Sequence, residues 1–264
     1  MIPSRLGFAT ALARKAGLLA QEMRGQAQGL AVTSKAPMDF VTNADLAVEA
    51  LIRERIAQAY PEDAVLGEEN GLEGDGPACW IVDPIDGTTN YARGMGDWGI
   101  SIAYFDGQNF THGAIFLPDL NIMATAEAGK GAQLNGKPMR FDQRAGQSGR
   151  MLALGYSGRT TPETYSARIA RLTAAQIEHR RHGAATVGLV GTLAGWFDGY
   201  HEASLNIWDG AAGLLMVQEA GGVTIHGEME RFLTEPTEVI AHNGKIPNLY
   251  GILVPDEDAE RKAG

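Results

Sequence analysis

The sequence predicts an α+β fold in which helices cover β-sheets. The first sixty residues contain two helical patterns, separated by the short strand "LAVTSK". From Ala64 the chain changes to short strands and tight turns, including Asp-Gly, Gly-Lys-Gly and Asn-Gly, which is the pattern of antiparallel hairpins. Helices mixed with strands follow. This order differs from the regular alternation of a doubly wound sheet, and it favours a layered α+β architecture.

Each of the two N-terminal helices has one apolar face. In the first helix this face consists of Leu12, Ala16, Leu19 and Met23. Gly25 and Gly29 are expected to end that helix. In the second helix the apolar face consists of Val48, Leu51, Ile52, Ile56 and Ala59. Thr42, followed three residues later by Asp45, predicts a start of the capping-box type, and Pro61 closes the segment.

Three more helices are predicted in the C-terminal half of the chain. The segment "ETYSARIARLTAAQ" returns to a helical pattern. The segment "ATVGLVGTLAGWFDGY" is apolar, and Gly188, Gly191 and Gly195 at helical spacing predict a buried helix in close packing. The segment "DGAAGLLMVQEAGG" predicts a second buried helix, which the Gly-Gly pair ends.

Length, charge and cysteine content exclude several classes of protein. A chain of 264 residues suits one large domain or two closely joined ones. The net charge of -10 argues against nucleic acid or an anionic membrane as the main partner, and it suits a protein that binds divalent cations. The single cysteine, Cys79, excludes an intramolecular disulfide and a Cys-rich zinc site. Charges interrupt the apolar N-terminus, so we expect no signal peptide, no membrane span and a cytoplasmic enzyme.

Acidic residues follow several strand or turn signals. They are Glu68 and Glu69 in "GEEN", Asp83 and Asp86 in "DPID", and Asp209 in "IWDGAAG". Asp45, at a helix start, is a further candidate. Any one of these acids alone is more typical of a helix cap or a solvated turn. Together they require a cation, because buried like charges repel and the flanking sequence has almost no Lys or Arg. Carboxylate oxygens are the ligands that Mg²⁺ prefers, so the sequence predicts a magnesium site.

The segment "DPIDGTT" predicts how the acids are presented. Pro84 is expected to end the strand, which leaves Asp83 at its tip and turns Asp86 towards the same point. The backbone carbonyl of Ile85, between the two acids, becomes a third oxygen ligand. Metal-binding carboxylates at such a turn are typical of phosphoryl-transfer sites.

The residues after Asp86 predict a phosphate-binding turn. Gly87 allows the backbone to approach a ligand closely, and Thr88 is expected to start a helical turn with free N–H groups. Haloacid-dehalogenase-type phosphatases share the Asp-Gly-Thr sequence but need a nucleophilic Asp two residues earlier, where this chain has Pro84. That covalent route is excluded, which leaves attack by metal-activated water.

The motifs "GEEN", "WIVDPIDGTTNY" and "WDGAAG…EAGG", in this order, resemble those of the inositol monophosphatase family, which contains lithium-sensitive, magnesium-dependent phosphatases. The resemblance extends from "DFVTNAD" to "EAGG". It implies a layered α-β-α-β-α sandwich of the sugar-phosphatase type, built as a single phosphatase unit over residues 1–264. It also implies a subdivision into an N-terminal α+β half, 1–143, with the metal motifs, and a C-terminal α/β half, 144–264. Family members are commonly homodimers.

The resemblance also assigns the metal ligands. Glu68, Asp83 and the Ile85 carbonyl would bind one Mg²⁺, while Asp83, Asp86 and Asp209 would bind a second. Glu68 would help with a third, weaker ion.

The resemblance further implies catalytic and substrate-binding residues. Asp45 and Thr88 would orient and deprotonate the attacking water, with Glu69 beside them in the catalytic set. The expected substrate-binding residues are Asp86, Gly87, Thr88, Ala185, Glu202 and Asp209. Among these, the Gly87 and Thr88 amides would bind phosphate, and Ala185 and Glu202 would contact substrate hydroxyls. Lys35 resembles a basic residue near the site in bacterial members.

The expected reaction is hydrolysis of a small phosphate monoester. The Thr-Thr-Asn-Tyr sequence favours myo-inositol monophosphate as the substrate. Histidinol phosphate and a sugar phosphate or bisphosphate stay open, because the loop from Ala92 to Gly96, in "ARGMGDWG", departs from the family pattern. There Arg93 is either a ligand for a second anion or, as we favour, a solvated loop residue. A regulatory homologue that has lost catalysis is a third alternative. A phosphorylated polyol, sugar or amino alcohol is the expected partner, with no nucleic acid and no membrane.

Overall fold

The computed structural model describes residues 4–26, 31–36, 39–141 and 149–254. The helices within these ranges are α1 (Arg5–Gly25), α2 (Asn43–Ala59), α3 (Thr88–Ala92), α4 (Pro162–Ala174), α5 (Ala185–Leu193), α6 (Ile207–Glu219), α7 (Met229–Phe232) and α8 (Leu249–Leu253). The strands are β1 (Val32–Ala36), β2 (Asp39–Thr42), β3 (Ala64–Gly67), β4 (Gly71–Glu73), β5 (Cys79–Asp86), β6 (Gly99–Phe105), β7 (Phe110–Leu117), β8 (Ile122–Glu127), β9 (Gly131–Leu134), β10 (Lys137–Met139), β11 (Met151–Leu154), β12 (Glu178–Arg180), β13 (Gly199–Leu205), β14 (Val223–Ile225) and β15 (Thr237–His242).

The two N-terminal helices form where the sequence predicts them. Helix α1 ends at Gly25 and buries Leu12 and Ala16. Helix α2 begins with the predicted capping box, in which the Thr42 N–H donates to Asp45 Oδ2 over 2.8 Å. The cap satisfies helix-terminal N–H groups and fixes the Asp45 carboxylate at the start of the helix.

The larger sheet has eight strands in the order β10-β9-β8-β7-β6-β5-β3-β4. Strands β5 to β10 form the predicted antiparallel meander, and β3 lies parallel to β5. Strand β5 is buried on both faces: Trp80 and Val82 face α1 and α2, whereas Cys79 and Ile81 face the opposite core. A strand that is covered on both faces has an almost continuous apolar sequence.

The prediction that Pro84 ends the strand is wrong. Strand β5 continues to Asp86, and its register against β6 is irregular between Asp83 and Asp86. Proline has no N–H to donate to the ladder, so it is tolerated where the pairing is interrupted by a bulge. The sequence analysis expected the end of the strand to turn Asp83 and Asp86 towards one point. The bulge has this effect instead, because it redirects the side chains on either side of Pro84.

A second main sheet of five strands, called the smaller sheet, completes a layered structure and confirms the predicted fold class; β1 and β2 form a separate two-stranded sheet. The order of the smaller sheet is β12-β11-β13-β15-β14, with helices α5 and α6 between the two main sheets. Helices α1 and α2 cover the outer face of the larger sheet, and α4 and α8 cover that of the smaller sheet. The five layers are therefore helix, sheet, helix, sheet and helix.

The long apolar segment after Gly183 is only partly helical, contrary to expectation. Helix α5 ends at Leu193, Gly195 adopts a left-handed turn with φ of 78°, and strand β13 begins at Gly199. A continuous apolar run does not distinguish a buried helix from a buried strand. The expected close packing is confirmed at Gly188, where an added Cβ would clash with the Tyr200 ring.

The two sheets lie on either side of the boundary predicted at residue 143. The larger sheet uses strands up to Met139, and the smaller one starts at Met151. Because α5 and α6 pack against both sheets, the two halves share one helical layer. The subdivision itself stays a prediction. Within the described ranges, no helix is both long and apolar enough to cross a membrane.

Candidate active site

Three carboxylates converge at one end of a cavity between the two sheets. Asp83 and Asp86 flank the bulge in β5, and Asp209 lies in the first turn of α6. Each offers an oxygen, and these oxygens all lie within 4.8 Å of one another. The cavity has a volume of about 530 Å³. Residues more than a hundred positions apart in the chain thus form one acidic centre.

The environment of this cluster disfavours three isolated negative charges. Burial raises the pKa of Asp83 well above its usual value, and the charges of Glu68, Asp209 and Asp86 raise it further. Burial likewise raises the pKa of Asp209, with Asp86 and Glu68 as the next causes. A divalent cation would reverse these effects, and an all-carboxylate donor set fits a hard cation. The described residues therefore could bind a metal ion of that kind.

The predicted ligands Glu68 and Ile85 line the same cavity. Glu68 lies on the turn between β3 and β4 and interacts electrostatically with Asp83, but it is outside the three-carboxylate cluster. The Ile85 carbonyl oxygen lies 3.1 Å from Thr88 Oγ1. Glu69 is not among the described residues that line the cavity; its backbone N–H donates to Glu49 over 2.8 Å.

Thr88 and Asp45 form a hydrogen-bonded pair at the edge of the acidic cluster. Thr88 Oγ1 lies 3.0 Å from Asp45 Oδ1, to which it can donate its proton. The other Asp45 oxygen accepts the N–H and the hydroxyl of Thr42, at 2.8 Å and 2.6 Å. Burial raises the pKa of Asp45, while these hydrogen bonds lower it. A buried carboxylate in contact with a hydroxyl is a suitable proton acceptor.

Helix α5 holds Asp86 from the opposite side. The Thr186 N–H donates to Asp86 Oδ2 over 2.6 Å, and the Thr186 hydroxyl donates to the same oxygen. Burial raises the pKa of Asp86, and the hydrogen bonds from Thr186 and from the Ala185 N–H oppose this rise. The sequence reasoning placed Ala185 at the site but missed Thr186. Its signal was available, because the unpaired N–H groups at a helix start attract an acid.

Gly87 and Asn90 fix the turn that follows the acids. Gly87 has φ of 88°, and an added Cβ would lie 2.9 Å from the Ala184 Cβ. The predicted helical turn is α3, which begins at Thr88. Asn90 Nδ2 donates to the carbonyls of Asp97 and His182, each over 2.7 Å, and so links this turn to the segment before α5. Asn90 was not predicted.

Glu202 lies in the wall of the cavity, as expected for a substrate-binding residue. Its side chain is buried on β13 and accepts a hydrogen bond from the Tyr200 hydroxyl over 2.6 Å. Burial raises the pKa of Glu202 to about 7, although the Tyr200 hydrogen bond and the charges of Arg159 and Arg181 lower it. A carboxyl with this pKa is able to accept or donate hydrogen bonds near neutral pH.

Three arginines that the sequence reasoning missed line the same cavity: Arg159, Arg180 and Arg181. Arg159 donates from Nε and Nη2 to the hydroxyl and carbonyl of Ser204, at 2.9 Å and 2.8 Å. The Arg181 guanidinium lies 5.6 Å from the Tyr156 ring centroid. Arg180 is paired with Glu178 over 2.8 Å. We call the acidic cluster the acidic end of the cavity and these three arginines its distal wall.

The remaining predicted features are Lys35 and the loop from Ala92 to Gly96. Arg93 and the loop from Ala92 to Gly96 are not among the described residues that line the cavity. Lys35 lies in β1, but its side chain is outside the described part of the chain.

Two groups of known proteins resemble this chain in sequence. The model of the "Inositol monophosphatase family" matches residues 4–255. "Nus factor SuhB" from Escherichia coli K12 is 36% identical over 222 residues, covering 83% of each chain. "Inositol-1-monophosphatase" from Rhizobium meliloti is 37% identical over 218 residues, covering 81% of this chain and 82% of the relative.

Solved structures show the same architecture. The extragenic suppressor protein suhB from Bartonella henselae has a TM-score of 0.87 at 33% identity, covering 96% of this chain and 99% of that one. The Thermotoga maritima IMPase has a TM-score of 0.82 at 28% identity, covering 98% and 99%. With the family model matched over nearly the whole length, the resemblance drawn from the motifs is confirmed, and the chain belongs to the inositol monophosphatase family.

Proposed function

We propose that the protein hydrolyses a small phosphate monoester with Mg²⁺ as its cofactor. The observation that carries the proposal is the convergence of Asp83, Asp86 and Asp209 in the cavity that also contains Thr88. Glu68 and the Ile85 carbonyl complete the proposed ligand set, for two or three ions. Bound Mg²⁺ would act as a Lewis acid towards phosphate oxygens and would lower the pKa of water.

The residues of the chain handle the proton and the phosphate. Thr88 Oγ1 accepts a proton from the attacking water while its own proton passes to Asp45 Oδ1, 3.0 Å away. The raised pKa of Asp45, caused by burial, favours this transfer. The backbone amides of Gly87 and Thr88 bind the phosphate oxygens. No covalent phosphoenzyme is formed, because Pro84 occupies the position of a nucleophilic acid.

myo-Inositol monophosphate is the substrate that we propose first. Glu202 and Ala185 line the cavity beyond the acidic cluster, where they contact the hydroxyls of the polyol. The relative from Rhizobium meliloti, named Inositol-1-monophosphatase, supports this choice. Histidinol phosphate is an alternative with the same chemistry. The homodimer and the cytoplasmic location stay predictions from the sequence.

The distal wall favours a second candidate substrate, a sugar bisphosphate. Arg159 and Arg181 both lower the pKa of Glu202 and both line the cavity, so their charges act on its interior. Two guanidinium groups bind a second phosphate more strongly than they bind the neutral hydroxyls of a polyol. Arg180 is already paired with Glu178 and therefore contributes less to the binding of a second phosphate.

The relatives named Nus factor SuhB favour a further candidate, a transcription-related role. This role is compatible with catalysis. The prediction that the protein has no nucleic-acid partner therefore stays open. To test this role, the original chain and Asp83→Asn are each expressed and purified from separate cells. Transcription components that purify equally with both proteins would show a role that is independent of hydrolysis.

Phosphate release from a panel of monoesters tests the proposed function. The panel contains inositol 1-phosphate, histidinol phosphate, fructose 1-phosphate and fructose 1,6-bisphosphate, each assayed with Mg²⁺ and with EDTA. We expect hydrolysis that depends on Mg²⁺ for at least one of them. Purified, folded protein that releases no phosphate from any member would overturn the enzymatic function and favour a non-catalytic regulatory homologue.

A further inference from the structure

A buried carboxylate that no predicted role explains lies behind the turn that carries Glu68. Glu49 is on α2, four residues after Asp45, and its side chain is fully buried. It lies on the same face of the helix as Asp45, because residues four apart are neighbours on a helix surface. Helix α2 therefore presents one acid to Thr88 and a second one to the turn over residues 68–70.

Glu49 binds the backbone of this turn directly. Its Oε2 accepts the N–H of Glu69 over 2.8 Å, and its Oε1 accepts the N–H of Asn70 over 3.1 Å. The side-chain amide of Asn70 adds a hydrogen bond of 2.9 Å. Two consecutive amides thus converge on one carboxylate, and Glu68 is the residue immediately before them. The Glu68 N–H itself donates to the Val82 carbonyl over 3.3 Å, so the backbone is held on both sides of Glu68.

Arg53 compensates the charge of Glu49 and binds the same hairpin. Its Nε donates to Glu49 Oε1 over 2.8 Å, and its Nη2 donates to the Gly71 carbonyl over 2.6 Å. The contact is tight, since a Cβ at Gly67 would lie 2.6 Å from the Glu49 carboxylate. Glu49 therefore packs closely against the backbone of the strand that leads to Glu68.

We infer that Glu49 is a positioning residue that sets the affinity of the metal centre through Glu68. This inference rests on the proposed magnesium site. Residues that orient a metal ligand without touching the metal typically change its affinity by about 10–100-fold when they are replaced. A purely structural Glu49 would change the melting temperature and leave Mg²⁺ affinity as it is.

Isothermal titration of metal-free protein with Mg²⁺ alone, without substrate, tests the inference. In Glu49→Gln one of the two backbone N–H groups faces an NH₂ group and loses its acceptor. We expect its Kd for Mg²⁺ to rise at least about tenfold. Glu73→Gln is the matched control, because Glu73 also pairs with Arg53, at 3.2 Å, but does not bind the turn. Its Kd should equal that of the original chain.

A double-substitution cycle shows whether the effect passes through Glu68. If it does, Glu49→Gln combined with Glu68→Gln binds Mg²⁺ as weakly as Glu68→Gln alone. Additive losses, or an unchanged Kd in folded Glu49→Gln, would overturn the inference. If Glu49→Gln does not fold, Asn70→Ala is the second variant, because it removes one hydrogen bond to Glu49 and Asn70 is exposed. We expect its Kd for Mg²⁺ to rise about fivefold. An unchanged Kd in Asn70→Ala would overturn the inference as well. Absence of Mg²⁺ binding by the original chain would instead reject the proposed function.

Discussion

The two ends of the cavity are built in opposite ways. At the acidic end, Asp83 and Asp86 are buried on strand β5, on either side of its bulge, and accept several hydrogen bonds. At the distal wall, Arg159 and Arg181 are exposed and lie on irregular segments. Buried charges are unfavourable unless they are compensated, so their positions are tightly specified. Exposed guanidinium groups stay hydrated and tolerate variation. We propose from this comparison that the buried end fixes the chemistry and that the exposed end sets the choice of substrate.

Removal of one acid from the buried end should produce the largest effect. We expect Asp83→Asn to lower kcat/KM by at least about 10²-fold, the scale of losing one electrostatic stabiliser. In EDTA at pH 8 the same variant should melt at a higher temperature than the original chain, because Asp83 repels Glu68, Asp209 and Asp86. Phosphate release and thermal melting measure the two effects.

Asp75→Asn is the control for that substitution, since Asp75 is an exposed acid outside the cavity lining. It should change neither quantity. Near-normal turnover by Asp83→Asn in excess Mg²⁺ would contradict the assignment of the buried end as the catalytic one.

Loss of the Thr88 hydroxyl should be the next largest effect. Thr88→Ala removes the group that passes a proton to Asp45, and we expect kcat to fall about 10²-fold with little change in Mg²⁺ affinity. Thr88→Ser keeps a hydroxyl at the same position and should retain most of the activity. Steady-state kinetics at saturating Mg²⁺ separate the two variants. Equal losses in both would show that the methyl group or the helix start matters, and not the hydroxyl.

The pattern of the sequence predicted a layered α+β fold and the residues of the acidic end, whereas the order of five layers came from the family resemblance. Periodicity specified α1 and α2, and the charge argument grouped Asp83, Asp86 and Asp209, which the structure brings together. Both signals are local, because buried elements and buried charges restrict residue type at each position.

Features that depend on residues distant in the chain could not be predicted from the sequence. The bulge at Pro84 is defined by register against β6, and Thr186 meets Asp86 across a hundred residues of chain. Glu49 appears in sequence as an ordinary helical acid until the turn at residues 68–70 folds onto it. The arginines of the distal wall resemble surface residues in sequence, since only the tertiary fold turns them towards a common cavity.

Substitution of the distal wall should have a smaller effect that depends on the substrate. We expect Arg181→Gln to lower kcat/KM for fructose 1,6-bisphosphate about tenfold, the scale of one charge-assisted hydrogen bond, and to leave fructose 1-phosphate unchanged. Arg180→Gln is the matched control, because Arg180 lines the same wall but is paired with Glu178. Equal losses for both sugars would remove the distal wall from substrate selection.

Glu202 interacts with Asp86 of the acidic end and with Arg159 and Arg181 of the distal wall. We expect substitution of Glu202 to have the smallest effect, a pH-dependent change in melting temperature. Burial raises the pKa of Glu202 to about 7, from roughly 4.3 in an unfolded chain. The folded protein therefore binds an extra proton between these values, and the resulting stabilisation is present at low pH and is lost as the pH rises through about 7. Glu202→Gln stays neutral throughout, so its melting temperature relative to the original chain should increase between pH 5 and pH 8, by roughly 2–4 °C for each kcal/mol. Melting both proteins in EDTA isolates this group, because the other carboxylates are common to them. A melting-temperature difference that is the same at both pH values would mean that Glu202 is ionised in the fold at pH 5, with its charge compensated by Arg159 and Arg181.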